Sequence, residues 1–201
     1  MNRKIFTKIA FVIGNGVSRK GVDINELKKY GKVYGCNAIY REYIVDYLVA
    51  VDVKMVLEIN KAGYQKHNLT YTNPNKAFSA INHLQYFNPS MGWSSGPTAL
   101  WLATTHHYSE IYIFGFDYKG LNNGKNLNNI YADTVNYKKS TDGAIFFGNW
   151  LRQTIATIQK NPNTQFIRII DKDTYIPLEF EKLPNIKHLD IETFKKIFNI
   201  S

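Results

Sequence analysis

Five consecutive apolar residues, Ile9-Ala10-Phe11-Val12-Ile13, run without alternation into Gly14-Asn15-Gly16-Val17-Ser18. An apolar run of this length reads as a strand covered on both faces, which belongs in a parallel sheet with a helical layer on each side. The break at its carboxyl end has the composition of a tight strand-to-helix turn. Gly14 and Gly16 tolerate backbone angles and close approaches that other residues do not. Asn15 adds an amide with both a donor and an acceptor. In doubly wound sheets ligands bind at this edge, facing the turn and the start of the next helix. The pattern is neither G-x-G-x-x-G, since position 19 is arginine, nor a P-loop, since no Gly-Lys-Ser/Thr follows.

The rest of the chain repeats the rhythm. Further strands are expected over residues 32–36, 47–51, 69–72, 110–114 and 165–170. Helices are expected over residues 26–30, 54–60, 98–107, 142–159 and 192–198. The second strand ends at Cys36-Asn37, the third at Asp52, the fifth at Gly115-Phe116-Asp117 and the last at Asp171. Ser94-Ser95-Gly96-Pro97 is a favourable helix start, with serine as cap and proline in the first turn. Strands alternating with helices imply an α/β, Rossmann-like, doubly wound and mostly parallel sheet with helices on both faces. One domain over residues 1–201 is the economical reading. Residues 73–93, with two Asn-Pro pairs, interrupt the rhythm and are expected to form a flap over the sheet edge. Residues 172–201 are expected as a carboxyl-terminal extension carrying the small helix.

Composition narrows the class. The formal net charge of +9 points to an anionic partner, a nucleotide or an anionic macromolecule, although the lysines are scattered. No apolar run approaches the ~20 residues that span a bilayer, and the amino terminus lacks the pattern of a secretory signal. The single cysteine, Cys36, fits a reducing compartment. A cytoplasmic protein is expected, in the host cytoplasm or a virion if the chain is phage-encoded.

Gly14-Asn15-Gly16-Val17-Ser18, Cys36-Asn37, Ser94-Ser95-Gly96 and Ile111-Tyr112-Ile113-Phe114-Gly115-Phe116-Asp117 together resemble the bacterial sialyltransferases of the Campylobacter type. They are also similar to the wider Rossmann-like group that includes archaeal hydroxymethylpterin diphosphokinase-like proteins, and to short phage-encoded chains. The resemblance covers about residues 8–160. It implies a nucleotide-sugar donor, a CMP-sugar or another, and chemistry that needs no metal or other cofactor. By position, Asn15 and Asn37 match the asparagines that touch the nucleotide. Ser95 with Gly96 matches the helix start that contacts the donor, and Asp117 matches the acid after the fifth strand. Two tyrosines hold the phosphate in that family, and Lys119 and Lys125 stand near those positions here. The family's histidine base has no counterpart in residues 139–149.

The candidate site is therefore Gly14, Asn15, Gly16, Ser18, Asn37, Ser94, Ser95, Gly96, Gly115, Lys119 and Lys125 for the nucleotide, with Asp117 and Asp52 as candidate bases. Asp142 is the runner-up base or a helix cap. His106 and His107 read as a helix terminus, His67 and His83 as surface residues, and Cys36 as a small core residue. No spacing of metal ligands is present. Three functions stay open: a nucleotide-sugar-dependent glycosyltransferase, an inactive nucleotide-binding or virion protein of the same fold, and a metal-dependent pyrophosphate-transfer enzyme.

Overall fold

The computed structural model describes residues 8–143 and 147–200. Eight parallel strands form one open sheet: β1 (Ile9–Ile13), β2 (Lys32–Cys36), β3 (Tyr47–Val49), β4 (Thr70–Thr72), β5 (Leu84–Tyr86), β6 (Glu110–Phe114), β7 (Gln165–Ile170) and β8 (Ile186–Asp190). Their spatial order is β5-β4-β3-β2-β1-β6-β7-β8. The chain winds outward from β1 to β5 and then returns to the centre, where β6 pairs with the free side of β1. The fold is thus the Rossmann-like doubly wound α/β class expected from the apolar runs.

Side chains alternate along each strand, so one run feeds two cores. Phe11 and Ile13 of β1 face one way, with Phe114 of β6 and Ile167 of β7. Over them lie α1 (Ile24–Leu27), α2 (Val53–Ala62) and α6 (Ile191–Phe198). Ala10 and Val12 face the other way, against α3 (Ser95–Thr105) and α5 (Gly148–Lys160). Both sides of β1 are closed to water, which accounts for its lack of alternation. Phe11 meets four rings, Tyr112, Phe114, Phe194 and Phe198, at centroid distances of 5.6–6.4 Å. On the second face a row of rings crosses neighbouring strands, with Tyr34 stacked on Tyr47 at 4.5 Å, then Tyr71, then Phe87. Cross-strand aromatic pairs of this kind add about 0.5–1.5 kcal/mol each.

Several boundaries differ from expectation, each for a local reason. The third strand ends at Val49 rather than at position 51, because the Val51 N–H turns to the Ser95 hydroxyl oxygen at 3.1 Å. Asp23 caps α1 by accepting from the Asn25 N–H, so that helix starts earlier, at Ile24. The helix expected from residue 142 begins at Gly148. Asp142 instead accepts from the Lys139 N–H and closes a turn, and residues 144–146 of that expected helix lie outside the described residues. The segment 73–93 is not wholly irregular, since Leu84–Tyr86 adds β5 beside β4. The tail from residue 172 is more than an extension with a helix, because Ile186–Asp190 adds β8 beside β7. Both missed strands are edge strands with few fully buried residues, so neither carries the apolar run that marks the central ones.

Candidate functional site

The carboxyl ends of β1 and β6 meet at the point where the winding reverses, and connections leave them toward opposite faces. There the backbone is nearly in contact. Gly14 N–H donates to Phe114 O at 2.8 Å and Gly16 N–H to Gly115 O at 2.9 Å, extending the strand pairing into the turns. Gly115 lies at φ +65°, and a Cβ on Gly14 would stand 2.5 Å from Gly115 O. A Cβ on Gly16 would stand 2.4 Å from Asp117 Oδ2. These glycines are required by the packing of one turn on the other, a reason the sequence pattern did not reveal.

The turn after β1 is also tied down by side chains. The Asp117 carboxylate, in a buried residue, accepts the Ser18 hydroxyl through Oδ1 and the Ser18 N–H through Oδ2 at 3.1 Å. Val17 N–H donates to Asn128 Oδ1 at 2.9 Å. The backbone donors of Gly14, Gly16, Val17 and Ser18 are thus engaged internally, and the turn is a locked joint rather than an open cradle of amides. Arg168 of β7, only 1% exposed, reinforces it. Its Nε donates to Phe116 O at 2.9 Å and its Nη2 to Tyr175 O at 2.9 Å, between the Tyr118 and Phe180 rings. Burial lowers the pKa of this guanidinium. Arg168 was not singled out in the sequence, although a charged residue amid Phe166-Ile167 and Ile169-Ile170 was a visible signal.

A cavity of about 490 Å³ opens in front of this joint. It brings together most of the expected residues: Gly14, Asn15, Gly16, Asn37, Asp52, Ser94, Ser95, Gly96, Gly115 and Asp117. Asn15 Nδ2 donates to Cys36 O at 3.3 Å and to the Tyr137 hydroxyl at 3.4 Å. Asn37 holds a left-handed backbone at φ 52°, a conformation asparagine tolerates. The amide oxygens of both asparagines are buried without a partner among the described residues. Ser95 opens α3, and its hydroxyl oxygen accepts the Val51 N–H, joining the ends of β3 and α3. The first-turn N–H groups of α3 have no acceptor within the helix, and its dipole favours negative charge there. Aromatic walls come from Trp93, Phe116, Phe147 and Trp150. Phe147, Trp150, Asn128 and Asn129 also line it, and no motif in the sequence marks them. They come from the loop and helix start after β6, whose return to the cavity depends on the tertiary path.

Other expected residues stand elsewhere. Ser18 points to Asp117 and a neighbouring cavity of about 380 Å³, which Lys119 also lines. The exposed Lys119 ammonium lies 5.4 Å from the Tyr175 ring. Lys125 is exposed and lines neither cavity. Among the described residues no lysine, arginine or histidine lines the main cavity. His106 meets the Tyr34 hydroxyl after the end of α3, and burial lowers its pKa. Cys36 is buried, its thiol pushed up to about 12 by burial, which makes it an inert core group. Among the described residues no group of three or more His, Cys, Asp or Glu is placed to hold a metal ion, and no helix is long and apolar enough to cross a membrane.

The two candidate bases differ. Asp117 is enclosed and bonded twice. Asp52 is exposed at the start of α2, and its carboxylate makes no capping bond to that helix. Among the described residues that carboxylate has no hydrogen-bond or ion-pair partner, although the Asp52 carbonyl accepts the Val56 N–H in α2. Asp52 is therefore the carboxylate with an acceptor lone pair free at the cavity. Compared with protein-family models, with curated proteins and with solved structures, the chain matches none.

Proposed function

We propose that the main cavity receives a nucleotide-activated sugar donor and that the chain is a glycosyltransferase, as the resemblance of its turns to the Campylobacter-type sialyltransferases implies. One observation carries the reading. Gly14 to Gly16, Asn37, Asp52, Ser95 to Gly96 and Gly115 to Asp117, far apart in sequence, line one cavity at the reversal of strand order, where doubly wound folds bind nucleotides.

In this reading the base and sugar lie against the aromatic walls and the two asparagines. The phosphate faces the start of α3, whose free N–H groups take up the charge that develops as it leaves. Asp52 accepts the proton of the acceptor hydroxyl while that oxygen bonds to the anomeric carbon. The bond from that carbon to the phosphate oxygen breaks, and the phosphate keeps the electron pair. Lys119 and Lys125 are not required, because neither lines this cavity.

The test is a thermal-shift screen against CMP, UDP, GDP, ADP, their sugar conjugates, NAD and ATP, with and without magnesium. A ligand at 100 times its Kd stabilises by about 2.7 kcal/mol, which for a chain of this size is a rise of about 5–10 °C. Asn37→Gly, which keeps the left-handed backbone, is expected to abolish the rise. No rise with any nucleotide would sink the reading.

A second reading is nucleotide binding without chemistry. It is favoured by the engagement of Asp117 with Ser18 and by the lack of histidine among the described residues that line the cavity. Donor hydrolysis that disappears in Asp52→Asn would exclude it. Turnover strictly dependent on magnesium would instead favour pyrophosphate transfer.

A further inference from the structure

Two smaller cavities flank the main one, and each shares a carboxylate with it. The cavity of about 380 Å³ shares Asp117, together with Asn128. The other, of about 330 Å³, shares Asp52 and Asn37. They are not equivalent. The carboxylate toward the first is occupied by Ser18. The carboxylate toward the second is free among the described residues, and it lines both spaces at once. A base that must touch an acceptor hydroxyl and face a donor needs that position.

We propose that the cavity between Asp52 and Tyr137 is a second substrate site, which takes a small polyhydroxylated acceptor carrying an anionic group. This rests on the donor reading of the main cavity. The cavity is lined by Asn37, Asp52, Lys54, Met55, Asn136 and Tyr137, with Val53. Asp52 meets the acceptor hydroxyl. Lys54 supplies the charge for the anionic group: it is exposed, and among the described residues no carboxylate pairs with it. The far wall is held firmly. Asn136 Nδ2 donates to Glu58 Oε2 at 2.6 Å, and the Tyr137 hydroxyl accepts from Ala38 N–H and Asn15 Nδ2 at 3.4 Å each. Tyr137 thus touches an asparagine of the donor cavity and lines the acceptor cavity, so the two spaces share a wall as well as a base.

The shared chemistry is a fixed negative charge on a sugar-sized molecule, carried by a carboxylate or a phosphate. The experiment is a titration of the ¹⁵N-labelled full chain with glucuronate, glucose 6-phosphate and glucose, following backbone amide signals. The anionic sugars are expected to move the signals of Val53, Lys54, Met55, Asn136 and Tyr137. Glucose is expected to do so at least tenfold more weakly. The ratio of glucuronate to glucose 6-phosphate affinity says which anion the site takes. Lys54→Glu is expected to remove the preference for anions, and Lys119→Glu, in the opposite cavity, to leave it unchanged. An acidic residue in the first turn of α2 suits the helix dipole, so Lys54→Glu folds.

The inference is overturned if no signal of this cavity moves, if glucose acts as strongly as the acids, or if Lys119→Glu matches Lys54→Glu. The donor reading fails separately, if no nucleotide moves the signals of Asn15, Gly16, Ser95 and Gly96.

Discussion

The ends of β3 and β6 look alike in sequence and behave differently in the fold. One reads Ala50-Val51-Asp52 and the other Gly115-Phe116-Asp117, each a strand followed by a small residue, an apolar one and a carboxylate. At the end of β6 the carboxylate is buried, holds Ser18 twice, and is backed by Arg168 on Phe116 O. At the end of β3 the carboxylate is exposed and unbonded among the described residues. The difference comes from position in the sheet. β6 abuts β1 at the centre, where two turns must pack on each other, and its acid became the fastener. β3 lies outward, the Val51 N–H beyond it is taken by Ser95, and its acid faces open space. The same local signal therefore marks structure in one place and candidate chemistry in the other.

The sharpest way to break this contrast is to neutralise each acid. Asp52→Asn is expected to lower transfer or hydrolysis of the donor by about 10²–10⁴-fold, the usual contribution of a positioned base, with an unchanged melting temperature. Asp117→Ala is expected to cost about 3 kcal/mol. It leaves the Ser18 hydroxyl and N–H buried without an acceptor, at about 1–3 kcal/mol for each such group. For a chain of this size that lowers the melting temperature by about 6–12 °C, whereas Asp52→Ala is expected to stay within about 0.5 kcal/mol. Equal losses of stability in the two alanine variants would dissolve the comparison.

The glycines divide in the same way. A methyl group on Gly16 would collide with the Asp117 carboxylate and with Gly115 O, and Gly16→Ala is expected to cost about 1–3 kcal/mol. At Gly96 the added atom meets only the Phe116 ring at 3.5 Å, an ordinary contact. Gly96→Ala is expected to be neutral or to stabilise by up to about 1 kcal/mol through helix propensity. Urea denaturation of the two variants separates joint from rim.

How far the chain could be read follows from what each residue's neighbours are. The central strands were legible because burial on both faces leaves an uninterrupted apolar run, as in Ile9-Ala10-Phe11-Val12-Ile13. β5 and β8 were not legible, because an edge strand can present polar side chains and still pair through its backbone. Asn15, Asn37, Ser95, Asp52 and Asp117 were legible as a group because strand ends share one edge of a parallel sheet. Their separate tasks were not. Whether a carboxylate is tied to Ser18 or left free depends on a contact across 99 positions of sequence. Lys119 and Lys125 were placed by analogy with the two tyrosines, but the loop after β6 carries them away from the cavity.

The smallest expected effect concerns acidity, and it too should separate the two strand ends. His188 of β8 pairs in register with Arg168 and lies 5.8 Å from the Phe180 ring. Burial, with the Arg168 charge added, lowers its pKa to about 4. The unfolded value is about 6.5. Between the two the unfolded chain binds a proton that the folded chain does not, so stability falls as pH drops below 6.5 and the loss levels off below 4. The ring is partly exposed, and after solvent screening the effect is about 1 kcal/mol. His188→Leu removes this contribution while leaving the carboxylates in place, so the difference in unfolding free energy between the two chains isolates it. A protonated His188 would repel the guanidinium that holds Phe116 O. The Ser18 amide, fastened at that end, should therefore exchange with solvent faster, relative to its intrinsic rate, at pH 4.5 than at pH 7. The Val51 amide at the β3 end should not. Matching acceleration at both amides would show that the two ends are not mechanically separate, and an effect at Ser18 that persists in His188→Leu would show that His188 is not its source.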